Sequence, residues 1–141
     1  MLDVYNLEEA VTHCQLTIDS VEEALRYLSL NKSWGLYDIV VGNIFSSVLK
    51  HSKLQRANEA VRVAQLDLDK MANLLDEINF SSEDYRTVKG IYRRVDIAFD
   101  NALMDISVQM NIRLNIRALK ELLRELNNLY YFLLAKWNDA L

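Results

Sequence analysis

The chain has 141 residues, a length that suits one domain with its own apolar core. It contains no proline and three glycines, and its formal net charge is −4. Strand-rich folds need turns built from glycine and proline, so the composition argues against sandwiches and barrels and predicts an all-α protein. Nucleic-acid-binding proteins usually carry a basic excess, so we expect no nucleic-acid partner.

The first predicted helix follows a cap at Asn6, with Glu9 placed three residues later as its partner. Apolar residues then recur at alternating intervals of four and three, which keeps them on one face of a helix. Cys14 belongs to this stripe and is the single cysteine, so we expect it to be buried and chemically inert. The stripe consists of Leu7, Val11, Cys14, Ile18, Val21, Leu25 and Leu28.

The segment 31–51 is apolar but lacks a clean helical period. We expect it to form an irregular crossover between the first and second long helices, a kind of connection that often carries function. Its aromatic side chains either close the open end of the bundle or present a surface to a partner. The candidate interaction surface consists of Trp34, Gly35, Tyr37, Asp38, Gly42 and Phe45, together with Tyr131 near the end of the chain.

Three more helices are predicted by apolar stripes with the same alternating interval. The second helix follows a cap at Ser52, and the third follows a cap at Ser81 or Ser82. The second stripe consists of Leu54, Ala57, Val61, Ala64, Leu68, Met71, Leu75 and Ile78. The fourth stripe consists of Ile112, Ile116, Leu119, Leu123, Leu126, Tyr130, Leu133 and Trp137. Together the patterns predict an antiparallel four-helix bundle that forms one domain over residues 1–141.

The boundary between the third and fourth helices is the least distinct. The apolar interval from Ile106 to Ile112 is six residues, which breaks the period and predicts a tight turn near residues 109–111. The alternative is one bent helix over residues 82–138. At ~1.5 Å per residue that helix would be about 85 Å long, which would require a dimer.

A short basic cluster surrounds the predicted start of the second helix. Free N–H groups and the positive end of the helix dipole make a helix start suitable for binding an anion. A solvated rim that pairs with acidic side chains is the alternative, because the glycine pattern of a phosphate-binding loop is missing. The cluster consists of Lys50, His51, Lys53 and Arg56.

Two basic stripes lie beside the third and fourth apolar stripes, and acidic residues lie on the corresponding flank of the first helix. We expect these flanks to form ion pairs between helices, which would help to select the topology. An acidic partner or a polyanion bound in a groove between helices is the alternative. The basic stripes are Arg86, Lys89 and Arg93, and Arg113, Arg117, Lys120 and Arg124; the acidic flank is Glu8, Asp19 and Glu22.

Patterns for catalysis, metal binding or membrane insertion are missing. His13 and His51 have no carboxylate three residues before them, so the Glu-x-x-His motif of di-iron bundles is not formed. We therefore expect no metal, no cofactor and no catalytic residue. The longest apolar run has six residues and residues 1–10 lack the pattern of a secretory signal, so we expect a cytoplasmic chain without a transmembrane segment. Attachment to a membrane surface through residues 39–49 is disfavoured because that segment lacks a basic polar face.

One part of the segment 31–51 resembles a family of small, uncharacterised all-helical proteins of Gram-positive bacteria. The resemblance is carried by SWGLYD at 33–38, by Gly42, and by KHSKL at 50–54. That family is similar in a W-G-x-[WY]-D … G-G … K-H-S-K pattern ahead of a long helix. Here Val41 and Asn43 flank Gly42, so the paired glycine is replaced. The resemblance implies a bacterial, cytoplasmic, helical protein and no particular chemistry.

These observations predict a non-enzymatic interaction protein. Its partner would be another protein or a second copy of the chain in a homo-oligomer. The alternative is a bundle, enzyme or not, that binds a small ligand or an anion at the basic cluster of residues 50–56.

Overall fold

A computed structural model describes residues 3–41, 43–104 and 112–141, with side chains described for 3–28, 55–103 and 114–141. It contains four α-helices and no strand among the described residues, which confirms the predicted all-α helical bundle. The helices are α1 (Val4–Val41), α2 (Asn43–Glu77), α3 (Ser82–Met104) and α4 (Ile112–Ala140).

The segment predicted to be an irregular crossover is helical instead. α1 continues through Val41 and α2 begins at Asn43, so residues 31–41 and 43–51 all lie in helices, while Gly42 lies outside the described residues. The prediction was wrong because it treated a missing apolar stripe as a missing helix. An isolated glycine such as Gly35 costs a helix only about 1 kcal/mol relative to alanine, and no proline is present to end the helix.

Of the helix caps predicted from the sequence, the serine cap of the third helix forms, whereas those of the first and second helices do not. The Ser81 hydroxyl accepts a hydrogen bond from the backbone N–H of Asp84 (3.1 Å), which is the serine cap predicted for the third helix. At the start of α1 the cap is Asp3 rather than Asn6, because the Asp3 carboxylate accepts the N–H of Asn6 (3.2 Å). The helix start predicted at Ser52 was wrong, because Ser52 lies inside α2, which begins at Asn43.

The core is built from one buried stripe on each helix. On α1 the predicted stripe is buried throughout, apart from half-buried Leu25. On α4 the phase of the buried stripe differs from the prediction after Leu119: Leu122 and Leu129 are fully buried, whereas Leu123 and Tyr130 are only partly buried. Adjacent apolar residues satisfy the same helical period equally well, so the sequence pattern alone cannot choose between them.

Contacts between α3 and α4 show two helices packed side by side. Lys136 Nζ lies 3.0 Å from Asp84 Oδ2, and Arg94 Nε lies 3.3 Å from Glu125 Oε2. In one continuous helix, residues 31 positions apart would be separated by about 46 Å. The single bent helix over 82–138 is therefore excluded. The turn predicted near 109–111 lies outside the described residues.

α1 packs along both α2 and α4, and α4 packs along α3. α2 and α3 contact each other much less. Across α1 and α2, His13 contacts Asp67 and Tyr27 contacts Arg56, so residue numbers rise along one helix as they fall along the other. The side of α2 that faces away from these neighbours is left to solvent. Among the described helices, none combines the length and apolar character needed to cross a membrane.

Candidate interaction surface

Most of the interaction surface predicted from the sequence has no described side chains. Those of Trp34, Tyr37, Asp38 and Phe45 lie outside the described set, as do Gly35 and Gly42. Tyr131 is described: its side chain is 66% exposed and its ring meets the Tyr130 ring edge-on, with centroids 5.6 Å apart. The structure therefore adds one exposed aromatic residue on α4, and the role of the segment 31–51 stays a prediction.

The basic cluster at residues 50–56 does not lie at a helix start. α2 begins at Asn43, so residues 50–56 follow its first turn, where backbone N–H groups are already paired within the helix. The side chains of Lys50, His51 and Lys53 lie outside the described set. Arg56 is described, and its guanidinium carbon lies 6.0 Å from the centroid of the Tyr27 ring. The helix-dipole argument for an anion at this cluster was therefore wrong.

Arg56 instead borders a shallow groove of about 320 Å³ between α1 and α2. The hydroxyl of Tyr27 donates a hydrogen bond to Glu23 Oε1 (3.2 Å) at one wall of this groove. Two carboxylates, Glu23 and Glu59, therefore line the same groove as Arg56. The groove is lined by Glu23, Tyr27, Arg56, Glu59, Ala60 and Val63.

The outer face of α2 carries the most exposed apolar side chains next to this groove. Val63 is 51% exposed and Leu66 is 63% exposed. Glu59 precedes them by four residues and Lys70 follows by four, so the four side chains share one face of the helix at intervals of four, three and four. We call Glu59, Val63, Leu66 and Lys70 the outer stripe of α2.

Charged residues on and beside the outer stripe have no ionic partner among the residues whose side chains are described. Arg62 and Asp69 are exposed and lie on the side of the stripe away from the α1–α2 groove. In the part of the chain that the structure describes, none of the four charged residues forms an ion pair: Glu59, Arg62, Asp69 and Lys70.

Leu16 on α1 extends the apolar surface toward α1. Residues 13, 16, 20, 23 and 27 share one flank of α1 at helical spacing. His13 on this flank contacts Asp67 of α2, and Glu23 lines the groove, so the flank borders α2. Leu16 lies between them and is 44% exposed. The α1–α2 pair therefore exposes three apolar residues, Leu16 on α1 and Val63 and Leu66 on α2.

His13 brings α1 close to an acidic residue of α2. Its Nδ1 lies 3.4 Å from Asp67 Oδ1, and its Nε2 lies 4.0 Å from Glu9 Oε2 on its own helix. Sequence reasoning considered His13 only as a metal ligand and missed this contact. The spacing of Glu9 and His13 was visible in the sequence, but the position of Asp67 opposite them depends on how α1 and α2 pack.

The predicted ion pairs between helices form with different partners. Lys89 pairs with Asp76 at the end of α2, which raises the pKa of Lys89 through their hydrogen bond and charge attraction. Glu125 is buried and accepts hydrogen bonds from Arg94, Arg124 and Asn128. Among the described residues, the acidic flank of α1 (Glu8, Asp19 and Glu22) pairs with neither basic stripe, so that part of the prediction was wrong.

The outer face of α4 is basic and only partly neutralised. Arg124 pairs with Glu121 and Glu125 on its own helix. Arg117 and Lys120 make no ion pair with any described residue. They line a shallow depression of about 430 Å³ together with Ile116, Glu121 and Arg124.

Cys14 and Asn115 both carry a polar group into the core. Cys14 donates a weak hydrogen bond from its Sγ to the carbonyl oxygen of Leu126 (3.7 Å), and burial raises the pKa of its thiol to about 12. The thiol therefore stays protonated near neutral pH, in line with the inert core residue that the sequence predicts. Asn115 on α4 is fully buried, and neither its amide nitrogen nor its oxygen has a hydrogen-bond partner among the described residues. Sequence reasoning missed Asn115.

Metal-ligating side chains do not cluster in the described part of the chain, where no group of three or more His, Cys, Asp or Glu residues is placed to hold an ion. His13 with its two carboxylates therefore serves as a contact between α1 and α2. No family model, curated protein or solved structure matches this chain. What the chain does has to follow from the surfaces that its own helices present.

Proposed function

We propose that the chain is a non-enzymatic, cytoplasmic helical-bundle protein that acts by binding protein, either a second copy or another chain. One observation carries this proposal: Val63 and Leu66 are exposed side by side on a helix face whose charged residues have no partner within the described chain. Apolar surface rimmed by polar groups is typical of sites of protein association.

The extent of the surface supports the proposal further. A single exposed leucine is ordinary in a folded protein. Here Leu16 on α1 adds to Val63 and Leu66 on α2, and the shallow groove between the helices continues from Val63 toward Tyr27. A partner could therefore contact both helices at once. The protonated thiol of Cys14 agrees with a role other than nucleophilic catalysis.

The test compares two apolar-to-acidic substitutions at exposed positions. Leu66→Glu changes the proposed surface, and Ile97→Glu changes a similarly exposed residue on α3. The complex is measured by light scattering of the purified protein and by cross-linking with candidate partner proteins. We expect a complex that Leu66→Glu abolishes and Ile97→Glu preserves. A chain that forms no complex, or a complex indifferent to Leu66→Glu, would contradict the proposal.

A second candidate function, anion binding, is favoured by the depression on α4. Arg117 and Lys120 lie there without ionic partners, so a phosphate group could take that place. The test is the thermal shift of the full chain with inorganic phosphate, nucleotides and phosphorylated metabolites. Anion binding predicts a rise in Tm that the double change Arg117→Ala and Lys120→Ala removes and that Arg86→Ala on α3 retains. No rise with any of these ligands would exclude this function.

A further inference from the structure

We infer that the partner of the outer stripe of α2 is the outer stripe of a second copy, lying antiparallel to the first across a two-fold axis. This inference rests on the proposed function and makes it specific. It follows from the order of side chains along the stripe, which is acidic, apolar, apolar and basic from Glu59 to Lys70. When one copy of the stripe is reversed against another, acidic residues face basic ones and apolar residues face apolar ones.

The antiparallel arrangement places each member of the stripe against a suitable partner. Glu59 of one copy lies opposite Lys70 of the other, and the reverse pair forms at the far end. Val63 and Leu66 lie opposite each other between these pairs. Residues 59 and 70 are about 16 Å apart along the helix, so the contact spans roughly three turns. A two-fold contact of this kind uses the same patch on both copies, as closed dimers do.

A second charge pair shares the same centre. Arg62 and Asp69 are exposed beside the stripe, and their midpoint falls within one residue of the midpoint of Glu59 and Lys70. The antiparallel arrangement therefore also brings Arg62 of one copy near Asp69 of the other. Two separate pairs of opposite charge therefore have nearly the same centre along α2. This coincidence favours a second copy of the chain as the partner of the outer stripe.

The opposite arrangement, with the two copies of α2 parallel, is disfavoured by the same residues. It would place Glu59 against Glu59 and Lys70 against Lys70, and like charges at close range repel. The charges are also available for pairing: Glu59, Arg62, Asp69 and Lys70 form no ion pair with the described residues of their own chain. Charge order therefore determines both the partner and its direction.

Charge reversal tests this arrangement in the full chain by sedimentation velocity over a wide range of protein concentration. Lys70→Glu leaves acidic side chains at both ends of the stripe, and Glu59→Lys leaves basic ones. We expect each single variant to dimerise about tenfold more weakly than the natural chain, because two attractive pairs become repulsive in each dimer. Arg86→Glu, an exposed charge reversal on α3, is the matched control and should dimerise like the natural chain.

Restoration of the dimer gives the sharper result. The double variant Glu59→Lys with Lys70→Glu exchanges the two charges and should dimerise like the natural chain. An equal mixture of the two single variants should form mixed dimers, because one variant is acidic at both positions and the other is basic at both. Circular dichroism of each variant establishes that all of them fold.

Three outcomes would overturn the inference. They are a natural chain that stays monomeric at every concentration, a dimer that is indifferent to Lys70→Glu, and a mixture of the single variants that forms no mixed dimer. The first outcome is separable from failure of the proposed function. A monomeric chain that binds a different protein, with binding lost in Leu66→Glu, would support the proposed function and overturn only the choice of a second copy.

Discussion

The two helix pairs of the bundle use their charged residues differently. Between α3 and α4, Arg94 pairs with Glu125 and Lys136 pairs with Asp84, so charges of one helix are matched by charges of the other. On the outer face of α2, Glu59 and Lys70 are matched by nothing in the described chain. Charged residues without a partner in the described chain therefore mark the outer face of α2 as a candidate binding surface, whereas the charged residues between α3 and α4 pair with each other.

The largest expected effect tests whether the two pairs belong to one cooperative unit. Phe99 on α3 is fully buried in the shared core. We expect Phe99→Ala to lower the free energy of unfolding by about 3–5 kcal/mol. Urea unfolding followed by circular dichroism should remain a single transition. Two separate transitions would show that the α1–α2 and α3–α4 pairs unfold independently, and the comparison would then concern two units.

The next effect concerns the buried amide of Asn115. Because neither amide atom has a hydrogen-bond partner in the described part of the chain, Asn115→Leu removes a desolvation penalty and should raise the free energy of unfolding by about 1–3 kcal/mol. Asn101→Leu at an exposed position of α3 is the control and should change stability by less than about 0.5 kcal/mol. A loss of stability in Asn115→Leu would indicate that the amide has a partner in solution.

The third effect is a loss of stability in alkali that links α3 to α2. Burial, with added repulsion from Asp96, Asp69 and Asp76, raises the pKa of Tyr92 from 10.0 to about 12. The folded state therefore keeps the phenol neutral where the unfolded chain ionises it. This stability is complete below pH 10 and is lost as the pH rises from about 10 to about 12.

Tyr92→Phe should reduce that alkaline loss by roughly 1 kcal/mol, after allowance for solvent screening of a half-buried ring. Urea midpoints measured from pH 8 to about 12 provide the test. Tyr131→Phe, at an exposed ring, should leave the alkaline loss unchanged. Equal alkaline loss in Tyr92→Phe and the natural chain would show that the ring does not ionise in this range.

The smallest effect compares the two kinds of carboxylate directly. Glu125 is buried and accepts hydrogen bonds from three side chains, so Glu125→Gln should lower the free energy of unfolding by about 1 kcal/mol. Glu59 is exposed and unpaired, so Glu59→Gln should change it by less than about 0.5 kcal/mol in the monomer. Thermal unfolding at low protein concentration measures both. Equal effects would remove the distinction between the two helix pairs.

The sequence predicts the all-α fold and most of the buried stripes, because apolar periodicity reflects burial directly. It does not show that residues 31–41 and 43–51 are helical, because a helix without an apolar stripe leaves no periodic signal. It also does not reveal the pairing of Arg94 with Glu125, because that contact depends on how far α3 and α4 slide past each other. The burial of Asn115 is not predicted either, because a neutral amide next to an apolar stripe carries no charge or periodic signal of its own.

The outer stripe of α2 was missed although its signal is present in the sequence. The predicted apolar stripe of α2 includes Leu68 and Leu75, which are buried. Val63 and Leu66 lie outside that stripe, on the face that the pattern assigns to solvent. The order of charge around them, from Glu59 to Lys70, is visible in the sequence alone. The fold adds that these side chains are exposed and that the charged ones form no ion pair with other described residues. These two facts make the charge order evidence for a partner.

Cys14 can report how often α1 and α4 separate. It is the only cysteine of the chain, it is fully buried, and its thiol contacts the backbone of α4 at Leu126. A thiol-specific reagent can react with it only while α1 and α4 are apart, because the buried thiol is protonated and inaccessible. The labelling rate of the natural chain, compared with that of a free thiol, therefore measures how often α1 and α4 separate at Cys14. The measurement needs no engineered cysteine.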